Sequence, residues 1–167
     1  NFLLFNSMRL FFDNGGGPCY VVSVGKYSDP IEKGNKDLAT GLLGGLLPLK
    51  REQEPTMVVI PEAVCLDRQS CYDVYNQVLM HCQKMQSRVG ILDIHDGHLE
   101  RTDPSGDVVN DFREKVQQAL NYGASYYPWI NTSVVADTEL DYTNLNKESI
   151  DNVLVKRLRK EAGVIFD

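Results

Sequence analysis

The densest group of side chains able to do chemistry is Asp93-Ile94-His95-Asp96-Gly97-His98. It closes an apolar run beginning at Val89, so it falls at the carboxyl end of a predicted strand, where open α/β sheets place their ligands. Two imidazoles and two carboxylates are a donor set for zinc or manganese. Asp93 and His95 share a face if the strand continues through His95, but His98 must then fold back from the loop. His81 stands apart, between Met80 and Cys82 on a predicted helix. The spacing favours a solvated, hydrogen-bonding loop, and no metal ligand is assigned. Cys65, after the second apolar run, would need a base to act as a nucleophile. Only His95, across the top of the sheet, is a candidate; no local residue activates the thiol, and no oxyanion-hole glycine follows it. Neither G-x-S-x-G nor G-x-x-x-x-G-K-[ST] occurs. Asn14-Gly15-Gly16-Gly17 follows a predicted helix and precedes a predicted strand, the reverse of a phosphate loop, and reads as a helix stop. With no catalytic, cofactor or metal residue assigned, the pattern favours a structural or interaction protein over an enzyme.

Composition narrows the partners. The 167 residues carry 17 Lys+Arg against 23 Asp+Glu, a net charge of -6, so bulk charge attracts neither nucleic acid nor an anionic membrane. Apolar runs are far shorter than a bilayer span requires, and membrane insertion is not expected. Asn1 opens the chain in place of Met, with no basic segment or cleavage site behind it. Secretion by a signal peptide is therefore not expected, and the chain reads as an excised segment of a longer one. Cys19, Cys65, Cys71 and Cys82 each lie among apolar residues with no C-x-x-C pair, and are expected as buried free thiols.

The elements follow from periodicity. Residues 2–12 predict an amphipathic helix ended by glycine. Residues 19–24, 56–60, 88–94 and 124–130 predict four strands, the last placed at an edge or strand end by Pro128. A short helix is expected over 37–47. Over 69–86, Cys71, Val74, Tyr75, Val78, Leu79, Cys82 and Met85 recur three and four apart, a clean helical face. A further helix carries Val108, Val109, Phe112, Val116, Ala119 and Leu120. Alternation of helices with short apolar strands predicts an α/β domain over 1–130, its mostly parallel or mixed sheet covered by helices on both faces. Residues 131–167 form a divergent segment, with a helix over 148–161 and a possible strand over 164–166.

Arg9-Leu10-Phe11-Phe12-Asp13-Asn14-Gly15-Gly16-Gly17-Pro18-Cys19-Tyr20-Val21-Val22-Ser23-Val24-Gly25 closely resembles the "FF-x-NGG-x-x-CYVV-x-V" segment of contractile-tail sheath proteins. Pro55-Thr56-Met57-Val58-Val59-Ile60-Pro61-Glu62-Ala63-Val64, Arg88-Val89-Gly90-Ile91-Leu92-Asp93 and Ser125-Tyr126-Tyr127-Pro128-Trp129-Ile130 follow in the same order. The loop after Asp93 and the stretch over 137–167 depart from the family pattern. The resemblance implies a sheath subunit of a phage tail or of a phage-tail-like contractile injection system. Such subunits stack as hexameric rings around an inner tube and contract to drive that tube through a target envelope. Implied partners are further copies of the subunit, the inner tube protein, and baseplate and terminator or cap proteins. Implied locations are the virion tail, or the bacterial cytoplasm and the released particle.

Under this resemblance Phe11 and Phe12 anchor the first helix on the sheet, Asn14, Gly15 and Gly16 allow a sharp reversal, and Cys19 and Tyr20 begin a central strand. Tyr126, Tyr127, Pro128 and Trp129 close the last strand, with Trp129 in the core and the tyrosines shared between packing and subunit contact. Two alternatives stand beside the sheath: a metal-dependent hydrolase using Asp93, His95, Asp96 and His98, and a non-contractile baseplate or adaptor protein with the same domain.

Overall fold

The computed structural model describes residues 3–26 and 28–139. The chain divides into two units, Asn1–Ile130 and Asn131–Asp167. The helix expected over 148–161 and the strand over 164–166 lie outside the described residues. In the second unit, a 3-10 turn spans Asp137–Glu139.

The first unit is an α/β fold with a three-stranded, all-parallel sheet packed against helices. In chain order it comprises α1 (Leu3–Asp13), the one-turn helices α2 (Gly41–Gly44) and α3 (Leu46–Leu49), β1 (Met57–Val59), a 3-10 turn at Pro61–Cys65, α4 (Arg68–Met85), β2 (Val89–Asp93), α5 (Val108–Lys115) and β3 (Gly123–Tyr126). The strand order is β1-β2-β3. Met57, Val58 and Val59 pair with Val89, Gly90 and Ile91; Gly90 to Asp93 pair with Gly123 to Tyr126.

The helix α4 organises this unit. Asp67 caps it, its side chain accepting from Ser70 N at 3.0 Å, and a left-handed Gln86 ends it. Its periodic face is buried as expected at Cys71, Val74, Tyr75, Val78, Leu79 and Cys82. A full side chain's burial at such a site stabilises by about 1.5–3 kcal/mol. That face lies directly on Val58, Gly90 and Leu92. A Cβ at Gly90 would stand 3.0 Å from Val78 Cγ1, and one at Gly123 only 2.6 Å from Leu79 Cδ2. These two strand glycines therefore let the helix approach the backbone closely.

Several expectations need correction. Helices are expected on both sheet faces, but opposite α4 the sheet leaves Met57, Val59, Val89 and Tyr126 exposed. Residues 19–24 form no strand, since none of their backbone groups bonds another described backbone group. The helix after Asp107 ends at Lys115, not Leu120. Asn76 on α4 draws in that end: Nδ2 donates to Lys115 O, and Oδ1 accepts from Gln117 N and Gln118 N. The last strand stops at Tyr126, before a cis Tyr127-Pro128 bond. Cys71 and Cys82 are buried free thiols, pushed up by burial to about 12 and about 11. Cys19 and Cys65 are free but exposed.

At the sheet's other end Arg88 is buried, Nη1 donating to Leu49 O at 3.0 Å and Nη2 to Glu52 O. Beside it His81 is buried, and its Nε2 has no hydrogen-bond partner among the described residues. Burial, then the Arg88 and Lys50 charges, lower the imidazole from 6.5 to about 4. Across that window the unfolded chain binds more protons than the folded one, so stability falls as pH drops. Denaturant titrations at neutral pH and near about pH 5 are expected to show this loss in the wild type. In His81→Leu the loss should be smaller; equal losses would show that His81 does not cause it.

Candidate functional site

The residues singled out in sequence fall into two places. One is the carboxyl end of β2; the other is α1 with the segment after it. At the strand end, His95 Nδ1 lies 3.0 Å from Asp96 Oδ2, and Nε2 lies 2.9 Å from Leu66 O. Asp96 Oδ2 also accepts from Arg68 Nη2 at 2.7 Å, and Arg68 Nη1 stands 3.7 Å from Asp111 Oδ2. The Arg68 guanidinium, with His95 a smaller cause, holds the Asp96 carboxyl below its ordinary value. Both His95 nitrogens face acceptors, so the imidazolium can donate to both, while either neutral tautomer leaves one contact without a proton.

Trp129 Nε1 donates to Ile94 O at 3.0 Å, Trp129 N to Gly97 O at 2.9 Å, and Tyr127 Oη to Leu99 O at 2.8 Å. A Cβ at Gly97 would sit 2.5 Å from Trp129 Nε1, so glycine is required under the indole. His98 is exposed with its ring 5.4 Å from that of Trp129. Asp93 is exposed at the end of β2, and desolvation raises its carboxyl. Of the four suspected ligands His95 and Asp96 thus face each other, and among the described residues no three His, Cys, Asp or Glu side chains are grouped to hold a metal. The Leu66 carbonyl, not the Cys65 thiol, meets His95 Nε2. What this arrangement can do is fix the β2 loop to the start of α4 and to the end of β3.

Arg68 was not singled out in sequence. Its one signal is a cation in the first turn of a helix, where the dipole disfavours it, which points to a carboxylate partner from elsewhere in the fold.

At the amino end, Leu4 N donates to Glu62 Oε1 at 2.7 Å, fixing the start of α1 to the 3-10 turn. Its other end closes as a Schellman motif: Gly16 N bonds Phe11 O at 2.9 Å, and Gly15 N, at φ +84°, bonds Phe12 O at 3.0 Å. Asn14 Nδ2 adds a bond to Leu10 O at 2.7 Å. The glycine stop is therefore as expected. The anchoring role is not: Phe11 is 41% and Phe12 48% exposed. Only Leu3, Leu4, Asn6, Met8 and Arg9 of α1 are half-buried, so the helix touches the body along one side near its start and leaves its far end apolar and free. Cys19 and Tyr20 are exposed outside any strand, with Tyr20 Oη donating to Glu54 Oε2 at 2.6 Å. Trp129 is 39% exposed rather than core, since it covers a loop; Tyr126 is 72% exposed, Tyr127 half-buried and Pro128 exposed.

No helix among the described residues is long and apolar enough to cross a membrane. The chain matches no model of a known protein family, and no curated protein matches it.

Asp96→Asn should cost about 1 kcal/mol at neutral pH, the scale of a partly exposed charge-assisted bond. A carboxyl lowered in the fold stabilises above its unfolded value and loses that contribution as pH falls through the folded one. The variant and wild type should therefore converge in acid, and a pH-independent difference in urea midpoint would count against the Arg68 contact. Phe12→Ala should cost less than about 1 kcal/mol by denaturant titration, as an exposed ring implies; a cost of about 3 kcal/mol would place it in the core.

Proposed function

We propose that this chain is a structural subunit of a contractile tail sheath, and that residues 1–130 form its core α/β domain. The observation that carries the reading is a well-packed body displaying apolar surface in several places. Phe5, Leu10, Phe11 and Phe12 project from α1, Tyr20, Val21 and Val24 from the segment over 19–24, and Met57, Val59 and Val89 from the open sheet face. Exposed apolar surface on this scale marks sites that other protein covers. The four ordered sequence motifs supply the rest of the support, and the first of them contains the end of α1, its Schellman stop and residues 19–24.

In this reading repeated, non-closing contacts between copies build a helical stack of hexameric rings around an inner tube. The domain moves as a rigid body between an extended and a contracted arrangement. The sheet face opposite α4 is covered within the assembly, completing the two-sided packing that the sequence pattern implies. No catalytic step is part of the proposal; the energy of contraction is stored in subunit contacts. Baseplate and terminator proteins would bound the stack in a phage virion tail or a bacterial contractile particle.

Electron microscopy of the purified protein tests this. Helical tubes of two distinct diameters are expected, and a double Phe11→Asp, Phe12→Asp variant should keep its circular dichroism spectrum while losing the tubes. Monomers or discrete closed rings in the wild type under every assembly condition would overturn the proposal.

A further inference from the structure

The geometry points to the free edge of β1 as a docking slot for a fourth parallel strand, and to residues 19–24 of the same chain as its occupant. Among the described residues β1 has one neighbour, β2, and Val89 N donates to Thr56 O at 2.9 Å. In a parallel ladder main-chain groups alternate in direction, so Val58 bonds toward β2 while the N–H and C=O of Met57 and Val59 face outward. Among the described residues nothing pairs with them, and no bulge or proline blunts the three residues of this edge.

The occupant is already beside the slot. Residues 19–24 lie in no helix or turn and are rich in β-branched residues, and none of their backbone groups bonds another described backbone group. Tyr20 Oη reaches Glu54, shortly before β1. Val24 Cγ1 and Val22 Cγ1 would lie 2.9 and 3.5 Å from a Cβ at Gly45, so alternate side chains already face the α2–α3 junction. That junction places Leu43 and Leu46 in the same core as Val58. The connection from 24 through α2 and α3 to β1 is a strand, helix, strand crossover of ordinary kind. A tethered segment also faces a far smaller loss of freedom on docking than a separate chain.

Direction follows from the pleat. On β1 and β2, residues on the open face, Met57 and Val89, direct their main chain away from β3, and those on the α4 face direct it toward β3. A parallel strand at the free edge with Tyr20, Val22 and Val24 on the helical face must therefore point the N–H groups of these three residues at β1. The N–H groups of Cys19, Val21 and Ser23 must point to solvent. Proline is tolerated in an edge strand only where the missing N–H faces outward. The slot and its occupant do not rest on the sheath reading, although docking would cover Tyr20 and Val24 from within the chain.

Residue-resolved amide exchange on the full chain tests this at several protein concentrations. In the wild type, the Met57 and Val59 amides should exchange about tenfold or more slowly than in Val22→Pro, with no dependence on concentration. Val21→Pro should leave that protection in place, and Gly90 and Leu92 should stay protected in all three proteins, which confirms the fold. Equal Met57 and Val59 rates in wild type and Val22→Pro would overturn the inference. So would equal loss in both proline variants. Protection that appears only as concentration rises would overturn it too, since the strand would then come from another molecule.

Discussion

The first unit depends on how closely α4 lies on its sheet. Gly90 and Gly123 leave no side chain where Val78 and Leu79 press against the strands. A methyl at Gly123 would meet Leu79 Cδ2 at 2.6 Å, so that buried side chain would have to move, with overpacking costs of about 1–3 kcal/mol. Because interiors pack as densely as organic crystals, that spacing is transmitted to everything seated on α4. The Tyr72 and Tyr75 rings meet Phe112 of α5 edge-on at 5.7 and 6.4 Å, and Asn76 holds the end of that helix.

The polar contacts serve the same frame. Arg68 at the start of α4 and Arg88 just before β2 each tie loops to the ends of the sheet, one through Asp96 and the other through the carbonyls of Leu49 and Glu52. Planar guanidinium groups suit this work, since several donors leave in fixed directions. The His95, Asp96 and Arg68 group looks like chemistry in sequence and acts as joinery in the fold. Its members bond one another and the Leu66 carbonyl, leaving the polar loop after β2 well anchored while apolar residues elsewhere stay uncovered.

Legibility divided along a physical line. α4 is plain because its face has a long helical period and all its members except the half-buried Met85 are buried, so local pattern and tertiary environment agree. β1 and β2 were plain because apolar β-branched runs lie between clear stop signals, and the glycine stop of α1 was plain because Gly15 is needed at positive φ. Phe11, Phe12 and residues 19–24 depart from expectation for one common reason. Apolar character says that a surface is meant to be covered, and it does not say whether the cover comes from within the chain. Trp129 failed differently: it is a lid over Gly97, held by a hydrogen bond to Ile94 O, a long-range relation with no periodic trace. At the candidate site the residue types were visible, but their partners, Leu66 O and Arg68, were not, because a carbonyl carries no sequence signal.

The sheet order β1-β2-β3 follows the order of the chain. Each new strand is laid beside the one before it, after a single helical crossover, so no strand must wait for a later one to be inserted between its neighbours. Contacts of this kind close short loops in succession, which favours rapid folding for a parallel sheet. On the ribosome, α4 can settle on β1 and β2 before β3 has emerged, and the growing edge is always the side nearest the newly made chain.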